Sequence, residues 1–314
     1  MATASAIGRQ SLPNLLGINF PRVRTRAPAT IFRTDMEVLM NRSKSSTIDS
    51  NAPASRSTRM RRLGRFVLGS AMGAAVLIPS FARAKVLTPR LDQNADDLDT
   101  TYSPAYDYDR DGCYATAAIS KNGELNPGLS LGGDLNGHCH DRAQIDNSNT
   151  YSRHKCNKNG WCVSIYASYF EKDQNADGSH LYGHTHDIEH VAVWTKDHEV
   201  KWVSLSHHNG WQKFDRSSIR FEHGTHPKVV YHKDGVKNHC FRLATGLDEF
   251  IVENVTQDWV FPALVGWNGY PSGIREKLMN HGFGEASFKI KDDNFLSTIA
   301  DAKPSQVPFN PYED

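Results

Sequence analysis

Between Gly183 and Trp194 the chain runs a dense set of ligand-type side chains, His184, His186, Asp187, Glu189 and His190, straight into the apolar stretch Val191-Ala192-Val193-Trp194. No other segment constrains the fold as much. A glycine opens it and β-branched residues close it, which favours a strand over a helix. On a strand, alternate side chains face opposite sides. Asp187 and Glu189 then share the face continued by Val191 and Val193, while His186, Ile188 and His190 lie opposite. Two carboxylates side by side repel unless a cation sits between them or one takes up a proton. A divalent ion meets that demand, and oxygen ligands favour Mg2+ or Ca2+ over zinc.

Two other readings use the same residues. His186-Asp187-Ile188-Glu189-His190 matches H-x-x-E-H, a zinc-hydrolase signature. That chemistry needs a helix to bring both imidazoles onto one face, and the flanking residues point to a strand. The cluster could also be a hydrogen-bonded polar core without metal. The density of ionisable groups entering an apolar strand weighs against that reading.

Around this segment the chain reads as short strands separated by turns. Trp161 to Phe170 alternates large and small residues and is rich in β-formers. Residues 186–194 and Val200–Ser206 continue the pattern, with further short strands at Lys228–His232, Cys240–Leu243 and Phe261–Val265. Residues 85–112 read as extended and polar, and residues 122–138 and Asp173–Ser179 as Gly/Asn/Asp loops. Asp107-Tyr108-Asp109-Arg110-Asp111-Gly112 begins like an EF-hand loop, but its twelfth position is Ala118 rather than Glu, so it reads as a solvated turn. Gly273–His281 has helical spacing with Gly282 as its C-cap, and Asn294–Ala302 forms a last short helix. No internal repeat is evident. Many strands with helices few and late predict a mainly β, single-domain antiparallel β-sandwich with a few peripheral helices.

Export signals set the compartment. From Met60 the chain reads as a basic n-region, an apolar run from Phe66 to Ile78 and an A-x-A pattern ending at Ala84, the layout of a secretory signal peptide. Residues 1–59 are then a disordered or mis-assigned extension upstream of the true start; a transit-like leader, Arg- and Ser-rich, is the alternative. The expected organisation is 1–59 extension, 60–84 signal peptide and 85–314 folded domain. No stretch reaches the roughly 20 apolar residues that span a bilayer. The first 84 residues hold 13 of the 36 basic residues and 3 of the 35 acidic ones, so the remainder carries nine more acidic than basic groups. Such a domain has no broad attraction to nucleic acid or to an anionic membrane. All five cysteines lie beyond the leader, which in an exported chain predicts disulfides and one thiol left over. Four cysteines allow three connectivities. Cys156 and Cys162 flank a turn-like Asn157-Lys158-Asn159-Gly160 and could close a local loop, in which case Cys113 and Cys139 staple a Gly-rich one and Cys240 stays free.

Gly183-His184-Thr185-His186-Asp187-Ile188-Glu189 resembles the G-H-R-H-D-W-E heptapeptide of the necrosis- and ethylene-inducing peptide 1-like proteins, the NPP1 family. The resemblance extends to Cys113 and Cys139, to the additional pair Cys156 and Cys162, to Tyr169-Phe170-Glu171-Lys172-Asp173, and to Pro262–Asn268, Phe283–Ala286 and Asp293–Phe295. It implies a β-sandwich similar to actinoporins and fungal lectins. It also implies a secreted, non-enzymatic, monomeric cytolysin that binds glycosylinositol phosphorylceramide head groups of plant plasma membranes through a divalent cation, as a peripheral rather than spanning protein. By the same resemblance Asp173 and Asp187 ligate the ion, His184 and Glu189 hold it through water, and His239 joins them. Trp211, Trp259 and Tyr270 are candidate membrane-touching aromatics. Thr185 stands where the family has Arg and Ile188 where it has Trp, and the loop from Asp173 to Gly183 is longer than in typical members. Both carboxylates survive, so ion binding is expected to persist, while target recognition and cytotoxicity are exposed to these changes. A non-cytotoxic elicitor or adhesin is the alternative function.

Overall fold

The computed structural model describes residues 86–313 other than Tyr182; the leader and signal-peptide assignments lie outside the described residues. A short helix α1 (Asp97–Thr101) and strand β1 (Ala105–Tyr108) precede a long loop and helix α2 (Arg142–Asp146). Six strands follow: β2 (Asn149–Cys156), β3 (Trp161–Gln174), β4 (Gly183–Lys196), β5 (Glu199–His207), β6 (Gly210–Asp215) and β7 (Phe221–Glu222). Then come β8 (His226–Lys233), β9 (His239–Leu243), β10 (Ala263–Gly266), α3 (Ile274–Met279) and α4 (Phe295–Ala302).

Two sheets result. The larger has the order β10-β2-β3-β4-β5-β6; the smaller groups β1, β7 and β9 around β8. The fold is the expected mainly β sandwich, with two departures from antiparallel pairing: β1 runs parallel to β8, and β10 parallel to β2. Both pairings join segments over a hundred residues apart, so no hairpin turn dictates their direction.

The central strands β3 and β4 are buried on both faces. On one side Tyr166, Phe170, Val191 and Val193 pack against Tyr106, Tyr108, Val229, Tyr231 and Phe241 of the smaller sheet. On the other, Tyr169, Ile188, Ala192 and Trp194 meet Leu278, Phe283, Phe288, Phe295, Ile299 and Phe309 of the C-terminal region. Double burial explains why Val191-Ala192-Val193-Trp194 is apolar without alternation. Two disulfides form, Cys113–Cys139 and Cys156–Cys162, the second joining cross-strand neighbours of β2 and β3. Cys240 is the free, buried thiol.

Several local expectations fail for a common reason, burial decided at long range. Residues 85–112 are not uniformly extended and polar: they contain α1 and the fully buried β1. Asp107 is not solvated but accepts from the Glu253 and Asn254 backbone and from the Asn254 amide. Helices α1 and α2 come early rather than late. Helix α3 ends at Met279 with Asn280 as its C-cap, so Gly282 is not its cap. The predicted Asp173–Ser179 loop begins only after Gln174, and Asp173 itself is buried in β3.

One buried ion pair anchors the segment after β9. Arg242 bonds both oxygens of Asp248, which also accepts from the Thr245 N–H and hydroxyl. Burial opposes the Asp248 charge, but these partners outweigh it and hold its pKa at about 2. A depressed carboxylate pKa contributes stability that is present above the unfolded value near 4 and is lost as pH falls toward 2. Asp248→Asn is expected to cost about 1 to 2 kcal/mol at pH 7 and to flatten the acid limb of a stability–pH curve between pH 4 and 2. A variant with an unchanged acid limb counts against this anchor.

Candidate functional site

Strands β3 and β4 are paired antiparallel, with Phe170 opposite Asp187 and Asp173 opposite His184. Gly183 opens β4 with φ 142°, and a Cβ there would lie 2.4 Å from the Asp173 carbonyl oxygen. Glycine is therefore required for β4 to approach β3 at the site. Gly183→Ala should push the strands apart and lower cation affinity at least tenfold, measured by calorimetric titration; unchanged affinity would show that this approach does not matter.

His186 adopts a left-handed backbone, φ 65°, a conformation uncommon outside glycine. Strict alternation puts His184 on the face opposite Asp187. Instead, ligand atoms of Asp173, His184 and Asp187 lie within 4.8 Å of one another. We attribute this convergence to the reversal at His186, a local strain of the kind found at functional sites. The His184 Nδ1 faces the His186 carbonyl at 2.6 Å, which leaves Nε2 directed toward Asp173 at 4.0 Å. An imidazole oriented through its second nitrogen is the usual arrangement at ion sites.

The expected residues come together. Asp173 accepts from the His239 N–H and lies 2.7 Å from His239 Nδ1. Asp187 accepts from the Tyr231 hydroxyl at 2.8 Å. Glu189 accepts from the Ser206 hydroxyl, whose oxygen in turn accepts from the His190 N–H. Asp187 and Glu189 do share a face and a cleft. That cleft, about 440 Å³, is also lined by Glu285, Ser287 and Lys289, and falls within the usual range for small-ligand sites, about 300–1,000 Å³. Thr185 donates to the Leu129 carbonyl, and Ile188 is buried in the core at the cleft edge.

Electrostatics single out the acids. Burial, with the neighbouring Asp173 charge, raises Asp187 to about 6. Burial and the Asp187 charge push Glu189 well above the usual carboxylate range. His239 is opposed by burial, yet the neighbouring Asp111 and Asp173 carboxylates, 3.5 and 2.7 Å from its ring nitrogens, carry it up to about 9. Three buried carboxylates thus face one cleft with too little positive charge to satisfy them, and a bound cation fits this donor set. Asp173 and Asp187 offer oxygen ligands. His184 and Glu189 stand close by, and too few protein groups converge to complete the six to eight oxygens of Ca2+ or the octahedron of Mg2+. The remaining positions suit water or other oxygen donors.

The helix that the H-x-x-E-H zinc motif requires is not formed. Residues 186–190 lie on a strand. His186 Nδ1 faces the Tyr169 hydroxyl at 2.7 Å, and His190 Nε2 accepts from the Lys289 N–H. Tyr231, Ser206 and Lys289 are site residues the sequence reading missed. Tyr231 and Ser206 lay on the predicted strands Lys228–His232 and Val200–Ser206, but nothing local marked either as facing the acids, and Lys289 carried no signal. Among the aromatic candidates, Trp211 sits beside His190, 6.4 Å between ring centroids. Trp259 lies under Lys228 and Tyr270 stacks on Tyr151, and none of the three lines the cleft.

Known proteins share this architecture. The chain is 29% identical over 196 residues to NLP effector protein 10 of Phytophthora capsici, covering 61% of this chain and 76% of the relative. Among solved structures, NLPPya in complex with mannosamine superposes with a TM-score of 0.58 at 24% identity, covering 69% of this chain and 97% of that one. The non-toxic HaNLP3 protein gives 0.57 at 25% identity, covering 70% and 99%. Residues 96–302 match the sequence profile of the family described as Necrosis inducing protein (NPP1). That match spans most of the chain and contains the whole constellation around Asp187: the chain belongs to the NPP1 necrosis-inducing protein family.

Proposed function

We propose that this protein is a secreted, non-enzymatic and monomeric effector that binds glycan head groups of plant plasma-membrane sphingolipids, glycosylinositol phosphorylceramides, through a divalent cation, Mg2+ or Ca2+, and disrupts the membrane. The observation that carries this reading is the convergence of Asp173, His184 and Asp187 in one cleft with Glu189 beside them. An acidic domain approaches an anionic lipid poorly by itself. A cation held by these carboxylates would supply open coordination positions to sugar hydroxyls, and the half-buried Trp211, beside His190, would meet the interface. NLPPya, which shares the fold, has been solved with the amino sugar mannosamine bound. Binding is peripheral in this reading; no helix among the described residues is long and apolar enough to cross a membrane.

The test is metal removal. Vesicles containing glycosylinositol phosphorylceramide should retain the protein with Ca2+ or Mg2+, release it at least tenfold on EDTA treatment, and recover it on re-addition. Retention indifferent to EDTA would refute the cation bridge.

A second reading, a non-cytotoxic elicitor or adhesin, is favoured by Thr185 and Ile188. Thr185 is tied to the Leu129 carbonyl and Ile188 is turned into the core, so neither replaces the cationic or aromatic group that the family motif has there. HaNLP3, of the same fold, is described as non-toxic. Infiltration of purified protein into leaves separates the readings: tissue death supports the cytolysin, and its absence at high dose supports the elicitor or adhesin.

A further inference from the structure

Beside the oxygen-lined cleft lies a cluster of different chemistry. His207 ends β5, His208 follows it, and Cys240 is the second residue of β9. A ring nitrogen of each histidine and the Cys240 sulfur all lie within 4.8 Å of one another. His232 is the cross-strand partner of Cys240, its Nε2 3.7 Å from the thiol. Asp234 Oδ2 is 2.9 Å from His208 Nε2 and 3.4 Å from His207 Nε2. His208 has a left-handed backbone, φ 51°, at the turn leaving β5.

We propose that His207, His208 and Cys240 form a three-residue binding site for a soft divalent transition-metal ion, Zn2+, with water completing the tetrahedron. Sulfur and imidazole donors select such ions, as carboxylates select Ca2+ or Mg2+. Tetrahedral Zn2+ with bonds of about 2.0 to 2.3 Å places its ligand atoms about 3.3 to 3.8 Å apart. His207 and His208 are half-buried rather than packed in the core, and reaching that spacing from within 4.8 Å requires their rings to move on binding. Asp234, already hydrogen-bonded to an imidazole, supplies the carboxylate that orients ligating histidines. Binding converts the thiol to a thiolate and releases one proton to solvent. The site needs neither Asp173 nor Asp187; His208 also lines the cleft of those acids, and the Asp187→Asn variant below tells the two sites apart.

The experiment uses the full secreted protein with its disulfides formed, stripped of metal with chelator and titrated with Co2+ as a spectroscopic stand-in for Zn2+. One equivalent should produce thiolate-to-Co2+ charge-transfer absorption and the intense visible bands of tetrahedral Co2+, both erased by one equivalent of Zn2+. Cys240→Ser should abolish the charge-transfer absorption. His207→Gln should weaken Co2+ binding at least tenfold, and because His207 is only half-buried this variant keeps the test decisive if Cys240→Ser fails to fold. Asp187→Asn should leave the spectrum unchanged. Absence of the thiolate band from the parent protein, or Co2+ affinity unaltered in His207→Gln, overturns the proposal.

Discussion

Asp187→Asn is expected to abolish thermal stabilisation by Ca2+ or Mg2+ while leaving the metal-free protein as stable as the parent, or more so, at pH 8. The asparagine keeps an acceptor for the Tyr231 hydroxyl, which Asp187 now binds at 2.8 Å, and removes only charge. In the metal-free protein that charge is unfavourable. Burial and the adjacent Asp173 raise the Asp187 pKa from 3.8 to about 6, so ionising it costs stability above pH 6. The cost fades as the carboxylate protonates between pH 6 and 4. Cation affinity should follow the opposite course, weakening below pH 6 as protons compete for the same oxygens. At one hundred times the dissociation constant a cation stabilises the parent by about 2.7 kcal/mol. For a domain of this size that raises Tm by about 5 to 10 °C. An equal rise in Asp187→Asn would place the ion elsewhere.

Phe170→Ala is expected to cost about 3 to 5 kcal/mol and also to weaken cation binding. Phe170 is fully buried and stacks on Tyr231 at 3.8 Å between centroids, with Tyr108 and Phe241 at 6.2 and 6.3 Å. Tyr231 in turn stacks on His239 at 5.1 Å and holds Asp187. Removing Phe170 therefore leaves a cavity and loosens two groups of the site together. Trp194→Ala is the control. Trp194 is equally buried but packs with Phe309 on the other face of the sheet, so its loss should destabilise comparably without altering cation affinity. If both variants bind the cation as the parent does, the core beneath the cleft does not position it.

How much of this the chain displayed locally differs element by element. Strands β3 and β4 were legible because their β-branched and aromatic runs are long, and the shared face of Asp187 and Glu189 followed from period two alone. Strand β1 was not: Ala105-Tyr106-Asp107-Tyr108 reads as polar, and its burial depends on Val229 and Tyr231 of β8 and on Asn254, which satisfies Asp107. Asp173 entered only through the family resemblance, since Asp173-Gln174-Asn175-Ala176-Asp177-Gly178 has turn composition. It is held instead by His239, 66 residues away.

The covalent pattern of the chain determined the strand character of residues 186–194, the clustering of acids at their start and the cysteines available for pairing, because each depends on neighbours in sequence. Tertiary structure alone decided which acids meet. His184 joins Asp173 and Asp187 in a strand whose backbone turns left-handed at His186, and His239 reaches Asp173 from a different sheet. Charges and hydrogen-bond donors act through space over a few ångströms, and only the folded chain specifies which residues lie that close.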